Sequence, residues 1–196
     1  MNINEKKSFD VIVIGGGAAG MMAAITAASN GADTMILEHK DRVGKKILST
    51  GNGKCNYTNE LQGVTYYRGD DPAFVLPVME QFGFAETVSF FEKLGIYPKN
   101  RNGYYYPASE QAASVSDVLR MELTFRHVAV VTECELRNIS EKKNGFLLET
   151  GKGRFSAQKI IFATGLLAVP KTGSDGSAIP LIKAFGHRFS DIVPAL

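Results

Sequence analysis

The sequence has no tryptophan, two cysteines and three histidines in 196 residues. Cys55 and Cys134 form no CxxC and cannot build a disulfide framework, so a reducing, cytoplasmic compartment and no structural zinc are expected. Long leucine-rich runs are also missing. The one extended uncharged stretch, residues 11–32, follows Lys6 and Lys7 but contains no leucine and breaks at three glycines directly after Val11–Ile14. It is therefore read neither as a signal peptide nor as a membrane span. Nor is there an excess of charge: Lys and Arg number 22 against 20 Asp and Glu, a net +2. That lacks the concentrated basic field of a phosphate-backbone binder, so nucleic acid is not an expected partner. No GxSxG and no GxxxxGK[ST] occurs, which leaves hydrolase and P-loop chemistry unsupported. A hydrophobic share of 44% and a charged share of 21% describe a globular chain, long enough for one α/β domain with an embellishment.

Phe9 to Ile14 reads as a buried strand, Gly17 to Ser29 as a helix ended by Gly31, and Thr34 to Glu38 as a second strand, which is a βαβ unit. Gly44 to Asn59 is too polar for a core and reads as a functional loop around a short helix. Helical spacing predicts two helices within Asp71 to Gly95, separated by Gly83, and a third over Gln111 to Arg126. Arg101 to Pro107 reads as one extended piece. Strands follow over 128–132, 135–139, 145–150, 154–156 and 159–163, with turns at Lys143–Gly145 and Gly151–Gly153. A β-meander is thus expected before the last strand returns to a parallel sheet, and a final helix over Ser177 to Phe185.

Gly15-Gly16-Gly17-Ala18-Ala19-Gly20 is a GxGxxG that follows a strand and opens a helix. In such a turn Gly15 permits the tight bend, Gly17 the approach of a pyrophosphate, and Gly20 close packing of helix on strand. The helix N-terminus, with unpaired N–H groups and a positive dipole end, suits two phosphates. Glu38 ends the second strand 23 residues after Gly15, near the ~20 expected for an acid that accepts ribose hydroxyls. An acid here disfavours a 2′-phosphate and selects FAD or NAD over NADP. Between His39 and Asn59 stand Lys40, Arg42, Lys45, Lys46 and Lys54 against the single acid Asp41, a local excess placed where the far half of a dinucleotide would pass. Cys55 reads either as a redox thiol or as a small contact residue beneath a flavin, with the contact role favoured because no second cysteine is near. His39, His127 and His187 are isolated and read as surface or capping residues.

The run from Gly44 to Asn59, GKKILSTGNGKCNYTN, resembles the signature of the BaiN/YhiN-like NAD(P)/FAD-dependent oxidoreductases. Asn102–Ser109, Ala163-Thr164-Gly165 and Pro170–Gly176 are similar to further stretches of that family, so the resemblance covers the chain from Phe9 onward. Leu166, Tyr104 and the Thr172–Ala178 run depart from the family's pattern. The resemblance implies a Rossmann-like FAD-binding domain, α/β with a parallel sheet, a helical insertion and an antiparallel β-meander. It implies that FAD meets Gly15, Gly17, Ala18, Ala19 and Gly20 through its pyrophosphate and Glu38 through its ribose. Lys45, Lys46, Ile47, Thr50, Gly51, Gly53, Cys55 and Asn56 would lie further along the cofactor, Leu136 at the adenine, and Ala163, Thr164 and Gly165 near the pyrophosphate. The implied activity is an oxidoreductase moving electrons between a donor such as NAD(P)H and a small organic substrate or oxygen, across chemistries as different as amine oxidation and reduction of conjugated enones. No residue declares itself as a general acid or base, so a non-catalytic or sensor flavin-binding module is the alternative. The family further implies that residues 1–196 are the front portion of a longer flavoprotein whose substrate domain is absent. An incomplete flavin pocket, no dedicated NAD(P) domain and self-association through exposed apolar surface would follow.

Overall fold

The computed structural model describes residues 7–193, which fall into two compact units. One is built from the chain up to Lys46 and from Leu119 onward; the other is Ile47–Val118.

In the first unit, β1 (Ser8–Ile14) and β2 (Thr34–Leu37) flank α1 (Ala18–Ser29), with β2 buried along its whole length. The β-branched run of β1 suits a strand covered on both faces. α1 turns Gly20, Met21, Ala24 and Ile25 inward, so small residues let its axis approach the sheet, and Gly31 follows it at φ 84°. Downstream lie β6 (Ala129–Val131), β7 (Leu136–Lys142), β8 (Gly145–Thr150) and β9 (Gly153–Phe162), in a six-stranded sheet of order β6-β2-β1-β9-β8-β7. β6, β2, β1 and β9 run parallel, while β8 and β7 are antiparallel additions. This is a Rossmann fold with a meander at one side of the sheet. The core gathers Phe9, Ile12, Ile14, Met35, Leu37, Cys134, Ile139, Leu148, Phe155 and Ala157. Phe185, just past α5 (Ile179–Ala184), adds ring contacts with Phe146 and Phe162.

The strands anticipated at 154–156 and 159–163 are a single strand, β9, whose first half pairs with β8 and which pairs with β1 from Ser156 to Phe162. Gln158 does not interrupt it: its Nε2 donates to Asp10 Oδ1 at 2.8 Å, and Lys159 pairs with Val11 of β1.

The second unit holds α2 (Leu76–Gln81) and α3 (Phe84–Lys93), divided by Gly83 as expected. Gly83 N–H donates to Glu86 Oε2 at 2.9 Å and starts α3. The extended piece expected over Arg101–Pro107 is in fact a hairpin: β4 (Pro98–Arg101) and β5 (Tyr104–Pro107) turn at Asn102-Gly103, both at positive φ. A two-residue strand, β3 (Thr58–Asn59), completes this small sheet. α4 (Ala112–Phe125) leads the chain back to the first unit, where Leu119 and Leu123 are buried. Among the described residues no helix is long and apolar enough to cross a membrane.

Candidate functional site

The glycine turn lies at the C-terminal ends of β1, β2 and β9, the side of an open α/β sheet on which ligands bind. Gly15 N–H donates to Leu37 O at 2.8 Å and Ala163 N–H to Ile14 O at 2.8 Å, so three strand ends converge there. A Cβ on Gly15 would stand 2.6 Å from Ala163 O, and one on Gly20 1.8 Å from Gly15 O. Both glycines are therefore required by the fold itself. Gly16 is equally confined, by Val43 Cγ1 at 2.3 Å from its hypothetical Cβ. Gly17 differs: a Cβ there meets nothing within 4 Å, and its φ of −72° suits any residue. Ala18 and Ala19 are exposed beside it, and no side chain caps this end of α1. The first-turn N–H groups of an α-helix have no intrahelical partner, and a helix start of this kind suits an anionic group.

Glu38 is 8% exposed and its carboxylate is fixed on both oxygens. Oε2 accepts from Gly16 N–H at 2.7 Å and Oε1 from Lys40 N–H at 2.8 Å, so the acid ties the end of β2 to the glycine turn. A carboxylate oxygen that accepts one hydrogen bond keeps a further lone pair as an acceptor. Beyond β2 the chain continues in register with the segment after β6: Cys134 N–H donates to Glu38 O at 2.9 Å and Glu133 N–H to Lys40 O at 2.8 Å. Leu136 begins β7 two residues later and packs on the core.

The two signature lysines of this unit behave differently. Lys45 Nζ lies 2.8 Å from Asp41 Oδ1 at the surface, which holds the Asp41 carboxyl below its ordinary range. Lys46 Nζ donates to Ala168 O at 2.7 Å and to Ser174 Oγ. Ser174 is buried, and a Cβ on Gly165 would stand 2.3 Å from its Oγ. Thr164 Oγ1 donates to Gly165 O, and Thr164 Cα lies 3.0 Å from the Cβ position of Gly15. The segment after β9 is also held at Asp175, whose carboxylate accepts from Ser177 N–H and Oγ–H and lies 3.7 Å from His39 Nε2. Those hydrogen bonds, with His39 behind them, lower the Asp175 pKa. Val43, Gly44, Arg120 and Ser174 are not among the site residues expected from the sequence, although Gly44 N–H donates to Gly16 O at 2.7 Å and Arg120 grips Val43 O at 2.7 Å. Only Gly44 and Ser174, inside the two glycine-rich stretches, carried a signal.

Ile47, Thr50, Gly51, Gly53, Cys55 and Asn56 belong to the second unit. They form two 3-10 turns joined by a kink rather than a single short helix, with Gly51, Asn52, Gly53 and Cys55 all at positive φ. Thr50 Oγ1 donates to Ile47 O, Cys55 N–H to Thr50 O, and Asn56 Nδ2 to Tyr105 O at 3.0 Å, so the loop is anchored on β5. A Cβ on Gly51 would stand 2.7 Å from Asn56 N. Burial pushes the Cys55 thiol pKa up, the direction that suppresses thiolate and favours a contact role over a redox one. Beside it, burial and the Glu92 charge raise the Tyr57 hydroxyl to about 12.

Residues 9–193 match the HI0933-like protein Rossmann domain. The chain belongs to this family. Among relatives of this HI0933-like domain, the 3-dehydro-bile acid delta(4,6)-reductase of Clostridium scindens is 46% identical over 186 residues, covering 94% of this chain and 46% of that protein. The ribosomal RNA dihydrouridine synthase of Escherichia coli K12 is 26% identical over 178 residues, covering 91% of this chain and 44% of that protein. The chain spans about half the length of the curated relatives it matches. Among solved structures, the 3-ketosteroid-delta4-(5alpha)-dehydrogenase of Rhodococcus jostii superposes with a TM-score of 0.60 at 16% identity over 94% of this chain and 55% of its own. A flavocytochrome c3 fumarate reductase does so with a TM-score of 0.62 at 15% identity over 91% and 40%. Those likenesses establish the shared fold of the HI0933-like domain.

Proposed function

We propose that this HI0933-like domain is the FAD-binding portion of a cytoplasmic flavoprotein oxidoreductase that accepts electrons from NAD(P)H. The observation that carries the reading is the pairing of an open helix N-terminus at Gly17–Ala19 with the fixed carboxylate of Glu38. The N–H groups of Gly17, Ala18, Ala19 and Gly20 receive the pyrophosphate, with Gly15 shaping the turn and Ala163, Thr164 and Gly165 bordering it. Glu38 accepts the ribose hydroxyls through the lone pairs that Gly16 and Lys40 leave over. The backbone beside Leu136, paired to the end of β2 through Cys134, serves the adenine. FAD, once bound, supplies the hydride chemistry, and the protein supplies binding and orientation.

The residues of the second unit enter this reading through the Gly44–Asn59 signature alone. The Clostridium relative is named a bile acid reductase, and we assign a reduction of a small organic molecule to this chain as well. The visible spectrum of the purified protein, before and after anaerobic addition of NADH, tests the proposal. A yellow protein that bleaches supports it. A yellow protein that does not bleach favours a flavin-binding module without catalysis, and a colourless one that binds NAD tightly overturns the choice of FAD.

A further inference from the structure

We propose that Lys46 is a positioning residue of the dinucleotide site: it acts on the cofactor by closing a ring of loops around the glycine turn, and its ammonium does not itself contact a phosphate. The inference rests on the FAD-binding reading. The ring can be followed atom by atom. Gly44 N–H donates to Gly16 O at 2.7 Å, which fixes the segment after β2 to the turn. Two residues on, Lys46 Nζ donates to Ala168 O and to the buried Ser174 Oγ. Ser174 in turn packs so closely on Gly165 that no side chain fits at that residue, which stands at φ 69°. Gly165 follows Ala163, whose carbonyl lies 2.6 Å from where a Gly15 Cβ would be.

The loops after β1, β2 and β9 therefore close on one another, with Lys46 bridging the second and the third. An ammonium that donates to a carbonyl and a hydroxyl of one loop is engaged by that loop, and a charge-assisted hydrogen bond of this kind holds a loop more firmly than a neutral one. Lys45, one residue earlier, is turned to Asp41 at the surface. The two adjacent lysines of the signature thus divide their work, and the one at 46 preorganises the Ala163–Gly165 border.

A double-mutant cycle tests this in the full chain. Lys46→Met, Ser174→Ala and the combined variant are compared for FAD affinity of the apoprotein, for the salt dependence of that affinity, and, without nucleotide, for amide exchange over residues 163–176. Each single variant is expected to weaken FAD binding about tenfold, with the combined variant no weaker than the worse single, because both break the same clasp. Exchange over 163–176 is expected to rise in all three, and the salt slope to stay at its wild-type value. Additive losses with a shallower salt slope in Lys46→Met mean that the ammonium acts on the phosphate directly and overturn the proposal. Unchanged exchange overturns it too, as does raised exchange with unchanged FAD affinity. Wild-type protein that binds no FAD refutes the cofactor reading; the nucleotide-free exchange arm still separates that failure from absence of the clasp.

Discussion

Glu38 is buried with both carboxylate oxygens hydrogen-bonded to backbone N–H groups. Its place after β2 is the one proposed above for the ribose contact, and its Oε2 also accepts from Gly16 N–H. Glu38→Ala is therefore expected to weaken FAD binding by about ten- to a hundredfold and also to cost about 1–3 kcal/mol of stability, since a buried N–H loses its acceptor. Isothermal titration with FAD alongside urea unfolding of the apoprotein checks both; a loss of affinity with unchanged stability would show that Gly16 finds another partner. Tyr57 makes the opposite case. Its hydroxyl is buried without a hydrogen-bond partner among the described residues, while its ring packs on Phe91 at 4.9 Å. Tyr57→Phe keeps the ring and removes an unsatisfied group, so the melting temperature is expected to hold or rise. With its pKa raised from 10.0 to about 12, the folded state favours the neutral phenol. The matching stability is complete below pH 10 and is lost as pH climbs through about 12, an alkaline sensitivity that Tyr57→Phe should lack.

At the level of the element, the four glycines of the turn are not equivalent. Gly20→Ala sets a Cβ 1.8 Å from Gly15 O and is expected to cost at least about 3 kcal/mol. Gly17→Val has open space and ordinary backbone angles, so it should stay within about 1 kcal/mol of wild type while purifying without flavin. Thermal melts and the absorbance of the two purified variants decide this, and a yellow Gly17→Val protein would mean that nothing binds against that residue. The βαβ unit was legible because strand, turn, small-residue helix and acid all point to one local solution. β8 was legible too, since its residues pair with both neighbours over nearly their whole length. β9 looks like two strands in the sequence because Gln158 resembles a break, and only the distant Asp10 shows how that polar residue is accommodated. In the β4–β5 hairpin the Asn102-Gly103 signal was present but lost among aromatic neighbours. Within the site, Glu38 and the glycines carried their own signal. The Lys46–Ser174 contact joins residues 128 positions apart, and no local pattern announces such a pair.

For the molecule as a whole, apolar side chains remain exposed in both units: Leu166, Leu167 and Val169 in the first, Tyr66, Phe74 and Val78 in the second. Exposed apolar side chains that are contiguous commonly mark contacts with other protein, and sedimentation of the purified chain measures whether copies associate. The second unit leaves the first at Lys46 and the chain re-enters it at Leu119, while close to both points Arg120 Nη2 donates to Val43 O at 2.7 Å. Replacing residues 47–118 with a short glycine-serine linker is accordingly expected to leave the six-stranded sheet folded, with cooperative urea unfolding and retained far-ultraviolet dichroism; a molten product would show that the sheet depends on the segment removed. The Arg120–Val43 clasp has a consequence for how such proteins can diversify. With exit and entry clasped by residues that stay behind, the intervening segment is a cassette whose ends are already joined. Doubling the length of a flexible insert adds only about 0.6 kcal/mol of closure entropy, so units of very different size could be spliced in between Lys46 and Leu119 without disturbing the nucleotide end of the fold.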